Sequence, residues 1–248
     1  SVCDLQGKKV GVMSQRDSGP IFVRKALETC GIPAAKQEVT YLPVGPASKA
    51  ATAMKLGRVD AWANVGVQYT LAKARGFKFD MIPYQKEWTQ NLFGNVVWIN
   101  KDFLAKNRDT VVGFLRGLAK GSLFFYTNPE AALQIHWVLY PESKPKGMSD
   151  KEATALMIKV LRASAPNLRI DDEKIDKFGA HHDGEWAEYV KFVGLDKKLT
   201  KEQVKSLYTN ELIDEVNNFD RGEVIKRAKN FDFAKELKRF QAMMKMQK

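Results

Sequence analysis

The chain has 248 residues, of which 44% are hydrophobic and 28% charged, and a formal net charge of +11. That composition argues against disorder, and no apolar run reaches the ~18 residues that a membrane-spanning helix requires. The Lys and Arg residues are dispersed in short groups such as Lys8-Lys9, Lys144/Lys146 and Lys197-Lys198. No run interleaves cations with aromatics as a nucleic-acid platform would, which leaves solubility or a general attraction for anions.

Residues 8–13 open the pattern with an apolar strand. A polar turn of small residues, 14–20, follows and leads into a helix over 21–30, with Pro20 in its first turn and Gly31 as its stop. Such a turn at a helix N-terminus suits an anion or a polar ligand, because free N–H groups and the helix dipole meet there. Residues 38–42 read as a second strand, 47–56 as a helix capped by Ser48 or the preceding turn and closed by Gly57, and 60–65 as a third strand. A short helix over 68–75 is closed by Gly76, and 79–83 read as a fourth strand. This alternation predicts an α/β unit with an open, parallel-type sheet. Ligands of such sheets sit outside the carboxyl ends of the strands.

Residues 95–100 read as one more strand, and the composition shifts there. From residue 101 onward the pattern is helical, over 108–126, 128–140, 150–163, 172–178, 185–193, 200–208, 221–229 and 235–248. A Pro/Lys-rich linker occupies 141–147. The domain expectation is therefore an α/β portion over 4–93, a connecting strand over 94–100 and a helical remainder over 101–248.

If the first strand runs up and the following helix runs back down, the helix end returns to the strand start. Cys3 and Cys30 then become neighbours, and either a disulfide or two free thiols is compatible with the sequence. No C-x-x-C and no Cys/His set has zinc spacing. His136, beside Trp137 and Tyr140 in an apolar helix, reads as a packing histidine or a capped core histidine. His181-His182-Asp183 reads as a loop, because adjacent histidines in a strand point to opposite faces and no third ligand is suitably spaced. The chain has no G-x-S-x-G, P-loop, G-x-G-x-x-G or H-E-x-x-H motif, so no catalytic residue, metal or cofactor is expected.

Several stretches carry a resemblance. Asp4-Leu5-Gln6-Gly7-Lys8-Lys9-Val10-Gly11-Val12 is similar to the opening of the second lobe of periplasmic solute-binding proteins of ABC importers. The group in question is that of the nitrate/sulfonate/taurine and thiamine-pyrimidine-precursor binders. Gly57-Arg58-Val59-Asp60-Ala61 resembles the G-x-V-D-A segment of that group. Residues 95–100 with 102–104 and 111–117, then Asn128-Pro129-Glu130-Ala131-Ala132, follow in the family's order, and 208–220 resembles its C-terminal end. The resemblance implies a periplasmic-binding-protein-like fold: residues 4–93 as the second lobe, 94–100 as a hinge strand, and 101–248 as a helical part of the first lobe with a C-terminal extension. The family's first strand–helix unit has no counterpart in this chain, so the helical part is expected to expose apolar surface, or to dimerise.

The resemblance also implies a small ligand held between two lobes by loops at strand ends. Carried over, Ser14, Gln15, Arg16, Ser18 and Gly19 belong to the first loop. Ser14 and Ser18 offer hydroxyls, the backbone near Gly19 offers N–H donors, and Arg16 can pair an oxyanion bidentately. The plainer alternative is a helix capped by Ser18 beside an exposed Arg16. Asn64 and Gly66 follow the third strand where the family places ligand contacts, with Gln68 a weaker candidate; Asn64 as a turn former is the alternative. Trp88 and Asn95 near the hinge complete the expected ligand set.

The function implied is capture, without chemical change, of a small anionic or aromatic organic molecule, delivered to a membrane permease, in a periplasmic or extracytoplasmic setting. No nucleic-acid partner is expected, and no signal-peptide pattern is present at Ser1. The alternatives are an enzyme of the thiamine-pyrimidine type, which would require a reactive histidine and often a Cys-rich metal segment, or a single-lobe ligand-sensing module.

Overall fold

The computed structural model describes residues 1–83, 92–164 and 177–237. The chain divides into two compact units. One comprises Ser1–Leu92 with Gly184–Lys201, and the other Phe93–Asp183 with Glu202–Lys248. Among the described residues no helix is long and apolar enough to cross a membrane.

The first unit begins with a turn of 3-10 helix at Val2–Leu5 and continues as β1 (Lys9–Val12), α1 (Ser18–Thr29), β2 (Thr40–Pro43), α2 (Ala47–Lys55), β3 (Ala61–Trp62) and α3 (Gly66–Ala74). The three strands form a parallel sheet in the order β2-β1-β3, with Val10 opposite both Tyr41 and Ala61. The central strand reads Val-Gly-Val because it is buried between neighbours and helices, where a parallel strand is apolar on both faces. Val10 and Val12 share one face and pack with Leu5, Val23 and Leu27. Each such fully buried side chain contributes about 1.5–3 kcal/mol. On the opposite face Trp62 packs with Ala47, Ala50, Ala51 and Ala72, whose small side chains let α2 and α3 lie close to the sheet. Gly11 belongs to this second face; a Cβ there would come within 2.8 Å of a Val44 methyl.

α1 ends as a Schellman motif. The Gly31 N–H donates to the Glu28 carbonyl and the Ile32 N–H to the Leu27 carbonyl, with Gly31 at φ 76°. That stop sets Cys30 beside the 3-10 turn, and Cys3 and Cys30 are joined in a disulfide, their Cα atoms 5.7 Å apart. α8 (Asp183–Phe192) supplies Phe192, whose ring lies 4.8 Å from that of Phe22 on α1.

The second unit is helical. α4 (Lys101–Lys106), α5 (Arg108–Thr127), α6 (Pro129–Leu139), α7 (Asp150–Ser164), α9 (Lys201–Lys205), α10 (Ile213–Asn217) and α11 (Arg221–Lys229) make it up. Its apolar centre gathers Val111, Val112 and Ala119 of α5 with Leu212 and Val216. Arg108 pairs with the Glu215 carboxylate at 2.6 Å, and the Arg116 guanidinium donates to the Glu215 carbonyl at 2.7 and 3.1 Å, so α10 is tied to α5 at both its side chain and its backbone. α5 leaves Phe114 and Leu118 exposed.

Two expected strands do not form. Residues 79–83 and 95–100 pair with no other strand among the described residues. A strand exists only by pairing, so β-branched composition without a partner leaves an extended segment. Phe79 instead sets its ring 6.1 Å from Trp62 and 6.3 Å from Tyr69. α4, started by Asn100 accepting the Phe103 N–H at 3.0 Å, and the short α10 were not anticipated as separate helices. The helix expected over 172–178 lies up to residue 176 outside the described residues, as does that over 235–248 from residue 238 onward.

Candidate functional site

All three strands of the first unit point their carboxyl ends the same way, and each is followed by a helix. The β1–α1, β2–α2 and β3–α3 turns therefore line one edge of the sheet, and three helix N-termini begin there. This is where a parallel α/β sheet presents free N–H groups to a ligand.

At the β1–α1 turn the N-cap is Asp17, not Ser18, which is the first helical residue. The Asp17 carboxylate accepts the Gly19 N–H at 2.8 Å through Oδ1 and the Ser14 N–H at 3.0 Å through Oδ2. The protein's own carboxylate thus occupies the anion position of α1. Ser14 Oγ accepts the Arg16 N–H at 3.3 Å, so this hydroxyl shapes the turn. Gln15, Arg16 and Ser18 are exposed, and Gly19 is buried. Arg16 has no carboxylate within 4 Å among the described residues, leaving its guanidinium available.

α2 has no side-chain cap of its own, since its N-cap is Pro46. Its first N–H, on Ala47, donates instead to Gln68 Oε1 at 2.9 Å. Ser48 does not cap; its Oγ accepts from Arg75 at 2.6 Å. Gln68, on α3, therefore spends its carbonyl end on α2 and retains an amide group for another partner.

The β3–α3 turn is the open one. Asn64 Oδ1 accepts the Val65 N–H at 2.8 Å, which makes Asn64 a turn former, while its Nδ2 is buried without a partner among the described residues. Tyr69 fixes the turn from behind: its Oη accepts the Asn64 N–H at 2.5 Å and donates to the Trp62 carbonyl at 3.1 Å. α3 then starts at exposed Gly66 after Val65, with no side chain capping it. In the first turn of α3 the Gln68 N–H donates to the Val65 carbonyl at 3.0 Å, and the Gly66 and Val67 N–H groups find no acceptor among the described residues.

Ser14, Gln15, Arg16, Ser18, Gly19, Asn64, Gly66 and Gln68 accordingly share one sheet edge, and Gly19 meets the Ala63 carbonyl across it. Asn95 belongs to the second unit and is exposed, and Trp88 lies outside the described residues. Asp17 and Tyr69 are the site-shaping residues that sequence reasoning passed over. Asp17 carried a signal, an acidic residue just ahead of a Gly-Pro helix start; Tyr69 carried none. His136 is exposed with its ring 5.1 Å from that of Tyr140, so it packs at the surface and the core alternative is corrected. Among the described residues no group of three or more His, Cys, Asp or Glu is placed to hold a metal ion.

A parallel sheet whose strand ends lead into helix starts along one edge defines an open-sheet α/β protein. A family model described as NMT1/THI5 like matches residues 1–132, more than half of the chain. The chain belongs to this family, that of the nitrate/sulfonate/taurine-type periplasmic binding proteins, whose role is to bind small solutes. No curated protein matches the chain.

Proposed function

We propose that this protein captures a small organic anion, of sulfonate or carboxylate type, at the sheet edge of its first unit and hands it unchanged to the permease of an ABC-type importer. The observation that carries the reading is the uncapped start of α3 at Gly66, in a chain whose family binds small solutes. An anionic head group there meets free N–H groups and the positive end of the α3 dipole. Arg16 and the Gln68 amide supply further donors from the same edge. Asp17 already fills the start of α1, so the ligand's charge is directed to α3.

An extracytoplasmic location accords with the Cys3–Cys30 disulfide, because such bonds persist in oxidising compartments. The exposed Phe114 and Leu118 of the helical unit support self-association as a further property.

The test is a thermal-denaturation series with nitrate, alkyl and aryl sulfonates and carboxylates at constant ionic strength. A ligand at a hundredfold excess over its Kd stabilises by about 2.7 kcal/mol. The expected result is a saturable rise in midpoint for one or more of these anions, diminished by Arg16→Gln. No rise beyond that produced by chloride at the same ionic strength overturns the proposal.

A further inference from the structure

The second unit holds a cavity of about 920 Å³ that the sheet-edge reading does not use. Its volume falls in the ~300–1,000 Å³ range of small-molecule sites. One wall is a face of α6, with Glu130, Gln134 and Trp137 at helix spacings i, i+4 and i+7. The other is a face of α7, with Lys151, Ala155, Ile158 and Arg162 at i, i+4, i+7 and i+11.

The charges on this lining are unevenly satisfied. Lys144 Nζ lies 2.8 Å from Asp150 Oδ1 and 5.1 Å from the centre of the Trp137 ring, so that cation has both a carboxylate and an aromatic face. Lys151 and Arg162 have no carboxylate within 4 Å among the described residues, and Glu130 has no cation within that distance. Among the described residues the unpaired lining charge is therefore two positive against one negative. Lys151 stands in the first turn of α7 between Asp150 and Glu152, of which Asp150 pairs with Lys144 and Glu152 accepts from Ser149. The lining also holds apolar Trp137, Val138, Ala155, Ile158 and Phe233, with Gln134 and Thr154 as its neutral polar groups.

We propose that this cavity is a second ligand site, which takes an organic monoanion with a flat apolar body. The body lies against Trp137 and Ile158, and the carboxylate or sulfonate is held by Lys151 or Arg162. Glu130, the lining carboxylate without a cation partner among the described residues, selects against multiply charged phosphates.

The probe is 2-naphthalenesulfonate, titrated into the full chain while the indole N–H resonance of Trp137 is followed, assigned from its loss in Trp137→Phe. The expected result is a saturable shift. Its affinity falls about tenfold or more in the Lys151→Gln/Arg162→Gln double variant and for the neutral analogue 2-naphthalenemethanol, since each removes a charge-assisted contact. Both substituted residues are exposed, so folding is retained. Ala155→Trp, which fills the cavity, abolishes the shift. An indole resonance that does not move, a shift of equal affinity for the neutral analogue or in the double variant, or a shift that Arg16→Gln removes, each overturns the proposal. The double variant, the neutral analogue and Ala155→Trp read this cavity alone, and Arg16→Gln separates it from the sheet edge.

Discussion

Gly19 approaches Ala63 so closely that a Cβ on it would lie 3.0 Å from the Ala63 carbonyl oxygen, and 3.0 Å from Asp17 Oδ1 as well. Ala63 has little freedom to retreat, because its N–H donates to the Gly11 carbonyl at 2.9 Å and extends the β1–β3 pairing. Gly19→Ala gains about 0.5–1 kcal/mol of helix propensity. It loses about 1–3 kcal/mol to overpacking against a backbone oxygen that cannot move alone. The clash wins, and the denaturation midpoint falls. Gly66→Ala is the contrasting case: nothing lies within 4 Å of its Cβ, and it starts a helix. That substitution stabilises by about 0.4–1 kcal/mol. Chemical denaturation of the two variants side by side checks the opposite signs; a Gly19→Ala protein as stable as the parent would refute the close-approach argument.

The Cys3–Cys30 disulfide closes a loop with a sequence separation of 27 residues. Its removal restores freedom to the unfolded chain and costs about 2–4 kcal/mol. Leu5, which belongs to the core with Val10 and Leu27, sits on the 3-10 turn that the bridge anchors. The paired Cys3→Ser/Cys30→Ser variant is expected to unfold at lower denaturant, with the loss concentrated in hydrogen-exchange protection of β1 and α1. Thiol titration of the unreduced, denatured protein is expected to find no free cysteine. Detection of both thiols there would remove the bridge from the account.

The link from Gln68 to Ala47 separates a structural role from a binding role. Gln68→Ala leaves the Ala47 N–H without its 2.9 Å acceptor and costs about 0.5–2 kcal/mol, as the loss of an N-cap does. Gln68→Glu keeps an acceptor and adds a carboxylate at the start of α2, which the helix dipole favours. Stability is therefore retained in Gln68→Glu, while affinity for an anion at the same edge drops through lost amide donation and added repulsion. Measuring midpoint and anion-induced stabilisation in both variants tests the split. Equal loss of stability in the two would show that Gln68 acts by packing rather than by capping.

What the sequence discloses about this edge depends on how local each signal is. The order of strand, turn and helix through residues 8–75 is legible because Gly31, Gly57 and Gly76 end helices and apolar runs alternate with polar turns. The sequence reading puts the N-cap of α1 at Ser18, one position late: Asp17 and Ser18 are both good caps, and the extended backbone at Asp17 decides for it. The cap of α2 was not legible, because its acceptor comes from Gln68, 21 residues later, and nothing in the local pattern announces it. Residues 95–100 illustrate the converse: Val96, Val97 and Ile99 advertise a strand, but propensity cannot supply the neighbour that a ladder requires.

Tyr208 and Asp183 provide a titration of the second unit. The Tyr208 hydroxyl donates to Asp183 Oδ1, and Lys205 Nζ lies 3.4 Å from the other carboxylate oxygen. The hydrogen bond to a carboxylate pushes the phenol up to about 12, above its ordinary 10.0. The same bond, followed by the contact with Lys205, holds the Asp183 carboxyl below its ordinary 3.8. The signs are opposite for the two groups. The phenol's contribution to stability is complete below pH 10 and is lost as pH rises through about 12. The carboxylate's contribution is present above pH 3.8 and is lost as pH falls through its lowered value. Phenolate absorbance, taken as the difference between the parent and Tyr208→Phe, isolates this residue from the other tyrosines, including Tyr41, whose phenol is also raised, there by burial. In Asp183→Asn the isolated titration is expected to return from about 12 toward 10, because an amide offers the phenol no charged acceptor. A titration unchanged in Asp183→Asn would assign the shift to desolvation instead and break the link between the two residues.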